Sequence, residues 1–233
     1  MLIRSKRIRS IPTPSANVIK SFRRKLLEWG TRNFAPFPWR LTRNSFHALI
    51  AEIMLQRTKA EQVERVYMEF ARRYKTPEDV LEETEDHLLS LLRPLGLYWR
   101  SKTILKLVAE LHVKGIPTDL GDLLDLPGVG PYAAAAFLSF HRGHRAVIVD
   151  SNVVRLYGRY FGFVTDPETR RFKQFLDLAD RITPRRDFRK FNYALLDHTR
   201  MLCKHKPLCR CCPLNGNCCF GRNILGERRR RSI

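Results

Sequence analysis

Apolar residues recur at helical spacing through most of the chain. Val18, Ile19, Phe22, Leu26, Leu27 and Trp29 form a first stripe with basic residues between them, which predicts a helix over residues 17–29. Phe46, Leu49, Ile50, Ile53 and Met54 follow the i, i+3, i+4, i+7, i+8 pattern, with Ser45 as the expected N-cap and an end near Arg57, Thr58 and Lys59. Further helices are expected over residues 61–74, 76–92 with Pro77 near the start, 99–113, 119–124, 131–140, 151–161, 167–182 and 187–202. Gly96 and the run Gly115, Ile116, Pro117 read as turns. Residues 34–40 contain two prolines and are expected to be extended, with Arg40 near the surface. No strand-like alternation exceeds about four residues, so the expected class is all-α.

Composition narrows the picture. With 233 residues and 44% apolar content the chain can build one large domain or two lobes. Its net charge of +20 suits a polyanion such as nucleic acid, and a ribosomal-type binder would satisfy charge alone. Residues 76–85 are rich in acid, a face expected to point away from that polyanion. No apolar run approaches the roughly 18 residues of a membrane span, so a soluble protein is expected. Residues 1–16 are basic and free of acid, a flexible arm or alternatively an organelle transit peptide. The arginines 228–231 read as a disordered, phosphate-seeking tail.

Three clusters carry candidate chemistry. Leu126, Pro127, Gly128, Val129 and Gly130 form a turn between two helical patterns, followed by Pro131 at N1; the turn would present backbone N–H groups to a phosphate at a helix N-terminus. Asp150 follows the apolar stretch of residues 147–149 and could cap the next helix or act in chemistry. All six cysteines lie between Cys203 and Cys219, the pattern of a local metal or cluster site rather than a disulfide framework. Glu52, at the edge of its helix stripe on the face of Gln56, reads by itself as a solvated charge.

Five markers occur in order: Phe37-Pro38-Trp39-Arg40, residues 51–58 (Ala-Glu-Ile-Met-Leu-Gln-Arg-Thr), residues 126–132, Val149-Asp150-Ser151-Asn152-Val153, and the cysteines. Together they resemble the helix-hairpin-helix DNA glycosylases of the endonuclease III superfamily, in the mismatch branch of MutY adenine glycosylases and archaeal thymine mismatch glycosylases. The resemblance spans about residues 20–219 and implies two helical lobes with a DNA-binding cleft. It implies a helical core over residues 17–202, with one lobe at about 40–145 carrying the hairpin. The N-terminal helix and residues 146–202 would form the other lobe, followed by a cluster loop over 203–219 and a basic tail over 220–233.

Several roles follow from the resemblance. The N–H groups of Gly128, Val129 and Gly130 would hold a phosphate, often with a bound monovalent cation. Asp150 would place negative charge beneath the sugar as it gains oxocarbenium character, and Asn152 would orient it. Tyr132 stands where bifunctional members carry a Schiff-base lysine, so a monofunctional enzyme is implied. Glu52 would protonate the departing base, while Gln56 and Arg57 would enter the gap left by the flipped nucleotide. Cys203, Cys209, Cys212 and Cys218 would hold a [4Fe-4S] cluster, with five residues in the first gap where the family has six, Cys211 and Cys219 left over, and zinc as the alternative. Lys204, Lys206 and Arg210 would make the loop a basic finger on the DNA backbone.

The implied substrate is thymine or uracil opposite guanine. The short stretch after the cysteines leaves no room for a domain reading 8-oxoguanine, and Arg57 replaces the glutamine usual in adenine enzymes. Adenine excision and a noncatalytic iron–sulfur DNA-binding protein are the alternatives. The expected setting is a monomer on double-stranded DNA in a prokaryotic cytoplasm, at the nucleoid, with abasic-site processing enzymes downstream; organelle targeting stays open.

Overall fold

The computed structural model describes residues 11–96 and 98–230, and every regular element among them is helical. Residues 1–10 of the expected basic arm and Arg231 of the tail lie outside the described residues. The chain forms two compact units, one from Ala35–Ala146 and the other from the chain up to Phe34 together with Val147 onward.

The second-named unit begins with α1 (Ala16–Arg32). Residues 11–15 lead into it tied down, since Ile11 packs on the core and the Pro14 carbonyl accepts from Arg181 Nη2 at 3.2 Å. After Val147 come α10 (Ser151–Phe161), α11 (Lys173–Ile182) and α12 (Phe188–Met201), then the cysteine loop and α13 (Cys219–Arg230). Gly30 lets α1 cross close to α12, where a Cβ would strike Ala194. Phe22 is fully buried among Tyr157, Tyr160, Phe161 and Phe191, and its removal would cost about 3–5 kcal/mol. The expected helix over 167–182 is shorter, because residues 169–171 form a separate 3-10 turn and Phe172 is extended before α11. The basic tail is not disordered through Arg230, since α13 runs to that residue.

The Ala35–Ala146 unit comprises α2 (Pro38–Leu41), α3 (Ser45–Met54), α4 (Ala60–Arg73), α5 (Pro77–Leu81), α6 (Glu85–Leu92), α7 (Tyr98–Lys114), α8 (Leu120–Asp125) and α9 (Pro131–His141). The stripe Phe46, Leu49, Ile50, Ile53 and Met54 is wholly buried, and the alanines of α9 pack against α3. Three local expectations change. The prolines do not keep residues 34–40 extended, because Pro38 sits at N1, where its missing N–H costs nothing, and starts the single turn α2. Asn44, not Ser45, is the N-cap of α3, its Oδ1 accepting from the N–H groups of Phe46 at 2.9 Å and His47 at 3.2 Å. The expected helix over 76–92 divides because Thr84 caps a new start: Thr76 forms a capping box with Asp79 at α5, and Thr84 then accepts from His87 N–H at α6.

Candidate active site and cysteine loop

α8 and α9 flank the hairpin. Leu126 N–H bonds back to Leu123, and Val129, which is buried, donates its N–H to the Leu126 carbonyl at 3.1 Å. Val129 is therefore not an outward donor; it anchors the turn. Gly128 has φ +78°, a left-handed conformation, and a Cβ there would run into Thr103 on α7. A Cβ on Gly130 would instead enter open space, beside a helix start that has no side-chain cap. That is the vacancy a closely approaching anion requires, at the positive end of α9. Tyr132 lies half-buried in the first turn of α9.

Glu52 on α3 is only 4% exposed, so the solvated reading of its helix-edge position fails. Burial pushes its carboxyl up to about 8, against the opposing charge of Arg40. Arg40 is likewise not a surface residue. It is buried, donates to the Ala35 carbonyl at 3.1 Å and lies over the Phe37 ring at 5.3 Å. Phe37 in turn stacks on Trp39 with ring centroids 4.8 Å apart. This stacked aromatic segment thus also carries the cation whose charge acts on Glu52. One turn beyond Glu52, Gln56 Nε2 donates to the Gly128 carbonyl at 2.8 Å, joining the α3 turn to the hairpin. Arg57 is exposed and left-handed, with φ +59°.

Asp150 belongs to the other unit. It is the N-cap of α10: Oδ1 accepts from Val153 N–H at 2.7 Å, and Oδ2 accepts from Asn152 Nδ2 at 2.7 Å. Arg155, which sequence reasoning passed over, donates to Asn152 Oδ1 at 2.9 Å and through Nε and Nη2 to the Cys203 carbonyl at 3.0 and 2.9 Å. The i, i+3 spacing of Asn152 and Arg155 was the available signal, because it places both on one helix face. A continuous set of hydrogen bonds therefore joins the Asp150 carboxylate to the start of the cysteine loop.

Cys203, Cys209, Cys212 and Cys218 line one cavity, which neither Cys211 nor Cys219 lines. Its donor chemistry suits thiolates. Arg159 Nη1 lies 3.6 Å from Cys203 Sγ, His198 Nε2 lies 3.3 Å from Cys212 Sγ, and Gly221 N–H lies 3.4 Å from Cys218 Sγ. Burial pushes the Cys212 thiol up to about 12 and pushes His198 down to about 4. A bound cationic centre would reverse the cost of ionising the thiols. Among the described residues, no three His, Cys, Asp or Glu side chains converge closely enough to hold a single metal ion. Lys204, Lys206 and Arg210 are all exposed. Among the described residues no helix is long and apolar enough to cross a membrane.

The chain is similar to known proteins. The chain is 35% identical to a thymine-DNA glycosylase of Aeropyrum pernix, over 88% of this chain and 96% of that relative. It is 33% identical to an adenine DNA glycosylase of Buchnera aphidicola, over 78% of this chain but 52% of the relative. Its fold matches the structure of a thermostable thymine-DNA glycosylase with TM-score 0.81 and 31% identity, covering 89% of this chain and 98% of the other. A family model also matches over residues 50–180, more than half the chain, and the chain therefore belongs to the HhH-GPD superfamily of base excision DNA repair proteins.

Proposed function

We propose that this protein is a monofunctional DNA glycosylase that hydrolytically removes thymine or uracil mispaired with guanine, acting as a monomer on double-stranded DNA. The observation that carries the reading is Glu52, a buried carboxyl raised to about 8, which holds its proton at neutral pH. With the nucleotide flipped out of the stack, Glu52 would give that proton to the base as the C–N bond breaks and the bonding electrons leave with the base. The sugar is left with oxocarbenium character. Asp150, held by Asn152 and the Val153 N–H, would stabilise that positive charge. Water would then add at the sugar carbon and release its proton to solvent, from which Glu52 regains the one it gave, leaving abasic DNA for abasic-site processing enzymes. Tyr132 offers no amine for an imine, so at most weak strand cleavage accompanies the reaction.

Gly128 and Gly130 would grip a phosphate, while Gln56 and Arg57 would contact the orphaned partner base. A monovalent cation would share the hairpin with that phosphate, since the Gly128 and Leu126 carbonyls, which accept from Gln56 and Val129, each keep a second lone pair. Cys203, Cys209, Cys212 and Cys218 would hold a [4Fe-4S] cluster, whose contribution is to shape the loop that presents Lys204, Lys206 and Arg210 to the DNA backbone. Zinc is the alternative, since four thiolates suit it as well.

Adenine excision is the second reading, favoured by the 33% identity to the Buchnera enzyme. One gel separates them. Duplexes carrying T·G, U·G, A·G and A·8-oxoguanine are incubated with protein and treated with alkali. Cleavage of the thymine and uracil strands is expected; cleavage of adenine strands alone would transfer the assignment, and none at all would indicate a binding protein.

A further inference from the structure

Arg100 on α7 is 1% exposed and among the bulkiest fully buried side chains. Among the described residues no carboxylate pairs with it. Its Nη1 instead donates to the Met54 carbonyl at 3.2 Å, the Leu95 carbonyl at 3.5 Å and Thr58 Oγ1 at 2.8 Å, and its Nη2 donates to the Gln56 carbonyl. The Thr58 hydroxyl bonds on to Leu95 at 3.3 Å. The buried cation is thus compensated by the negative C-terminal end of α3 and the turn that follows. Burial, and after it the positive charge of Arg57, oppose its ionisation.

Arg57, inside the clamped turn, has φ +59°. A non-glycine residue keeps that conformation only where its surroundings hold it. One turn further along α7, Thr103 is the side chain against which Gly128 of the hairpin packs, and Gln56 bonds to the Gly128 carbonyl. One face of α7 therefore supports both the α3 turn and the hairpin.

We propose that Arg100 is a positioning residue that locks residues 54–58 so that Arg57 is presented in its left-handed conformation, and that it thereby sets how strictly the base opposite the excised one is discriminated. The proposal rests on the reading of Gln56 and Arg57 as contacts to the orphaned base.

The test uses the full chain with Arg100→Met and Arg100→Lys. Single-turnover base release is measured with the excised base opposite guanine, opposite adenine and opposite an abasic position, and amide hydrogen exchange is followed in parallel. In Arg100→Met the guanine-to-adenine rate ratio should fall about tenfold or more, while the rate opposite the abasic position stays within about twofold of wild type. The amides of Leu55, Gln56 and Thr58 should exchange faster, with the centre of α3 unchanged. Arg100→Lys, with a point charge that reaches fewer acceptors, should fall between, and it carries the test if the methionine variant does not fold. An unchanged rate ratio, equal losses on all three duplexes, or unchanged exchange in the turn would each overturn the proposal. Wild-type protein that releases no base from any duplex would refute the glycosylase reading instead, and the exchange data would still decide whether Arg100 locks the turn.

Discussion

Replacing Glu52 with glutamine keeps its shape and removes its titration. In the folded protein the carboxyl loses its proton near pH 8, and in the unfolded chain near 4.5. Between those values the folded state holds a proton that the unfolded state has released, so stability is greatest below pH 4.5 and is lost as pH rises towards 8. The interval is three and a half pH units, which at about 1.4 kcal/mol per unit gives a loss of about 5 kcal/mol from this one group. Urea unfolding followed by circular dichroism at pH 5, 6.5 and 8 would measure it. Other groups titrate too, among them His198, whose lowered value makes stability fall as pH drops below 6.5. They are common to both proteins and cancel in the difference between wild type and Glu52→Gln. That difference should slope steadily over the interval, and base release by the wild type should decline as pH passes about 8. A difference that stays flat to about 1 kcal/mol would refute both the burial argument and a protonated Glu52 at neutral pH.

Gly128→Ala should weaken DNA binding and destabilise the hairpin by at least the roughly 1–2 kcal/mol of a left-handed alanine. Adding Thr103→Ser, which deletes the obstructing methyl, should recover part of the loss in thermal melts; no recovery would mean that Thr103 is not the obstacle. Asp150→Asn retains a good cap and should melt close to wild type yet release no base, whereas Asp150→Ala should in addition lose about 1 kcal/mol of stability. Full activity in the asparagine variant would remove Asp150 from the chemistry. Serine at Cys203, Cys209, Cys212 or Cys218 should abolish brown colour and bound iron, while Cys211→Ser and Cys219→Ser should keep both, as read by visible absorption and iron assay. Iron lost from the second pair would place the ligand set elsewhere. Borohydride reduction on substrate DNA should trap no covalent adduct, since Tyr132 cannot form an imine, and efficient trapping would identify another amine as nucleophile.

Helix periodicity and the glycines of the hairpin are local properties, and they were enough to read the all-helical fold and the order of its elements, while the resemblance to the family rests on five motifs occurring in order. Steric rules and 3.6-residue spacing act within a few residues and need no partner from elsewhere in the chain. Capping was less legible, because Asn44 and Ser45 are both good caps and only the path of the chain into α3 chooses between them. Burial of charge was not legible at all. From sequence, Arg40 and Arg100 are two of many arginines and Glu52 is a charge at a helix edge; whether each meets water depends on segments far along the chain. Arg40 meets the buried Glu52 of another helix, and the end of α3 meets Arg100 on α7. The proton on Glu52, the clamp on Arg57 and the link from Asp150 through Arg155 to Cys203 all arise from those distant meetings. Solvation is decided by everything that packs around a group, so the protonation and orientation of these side chains belong to the tertiary structure alone.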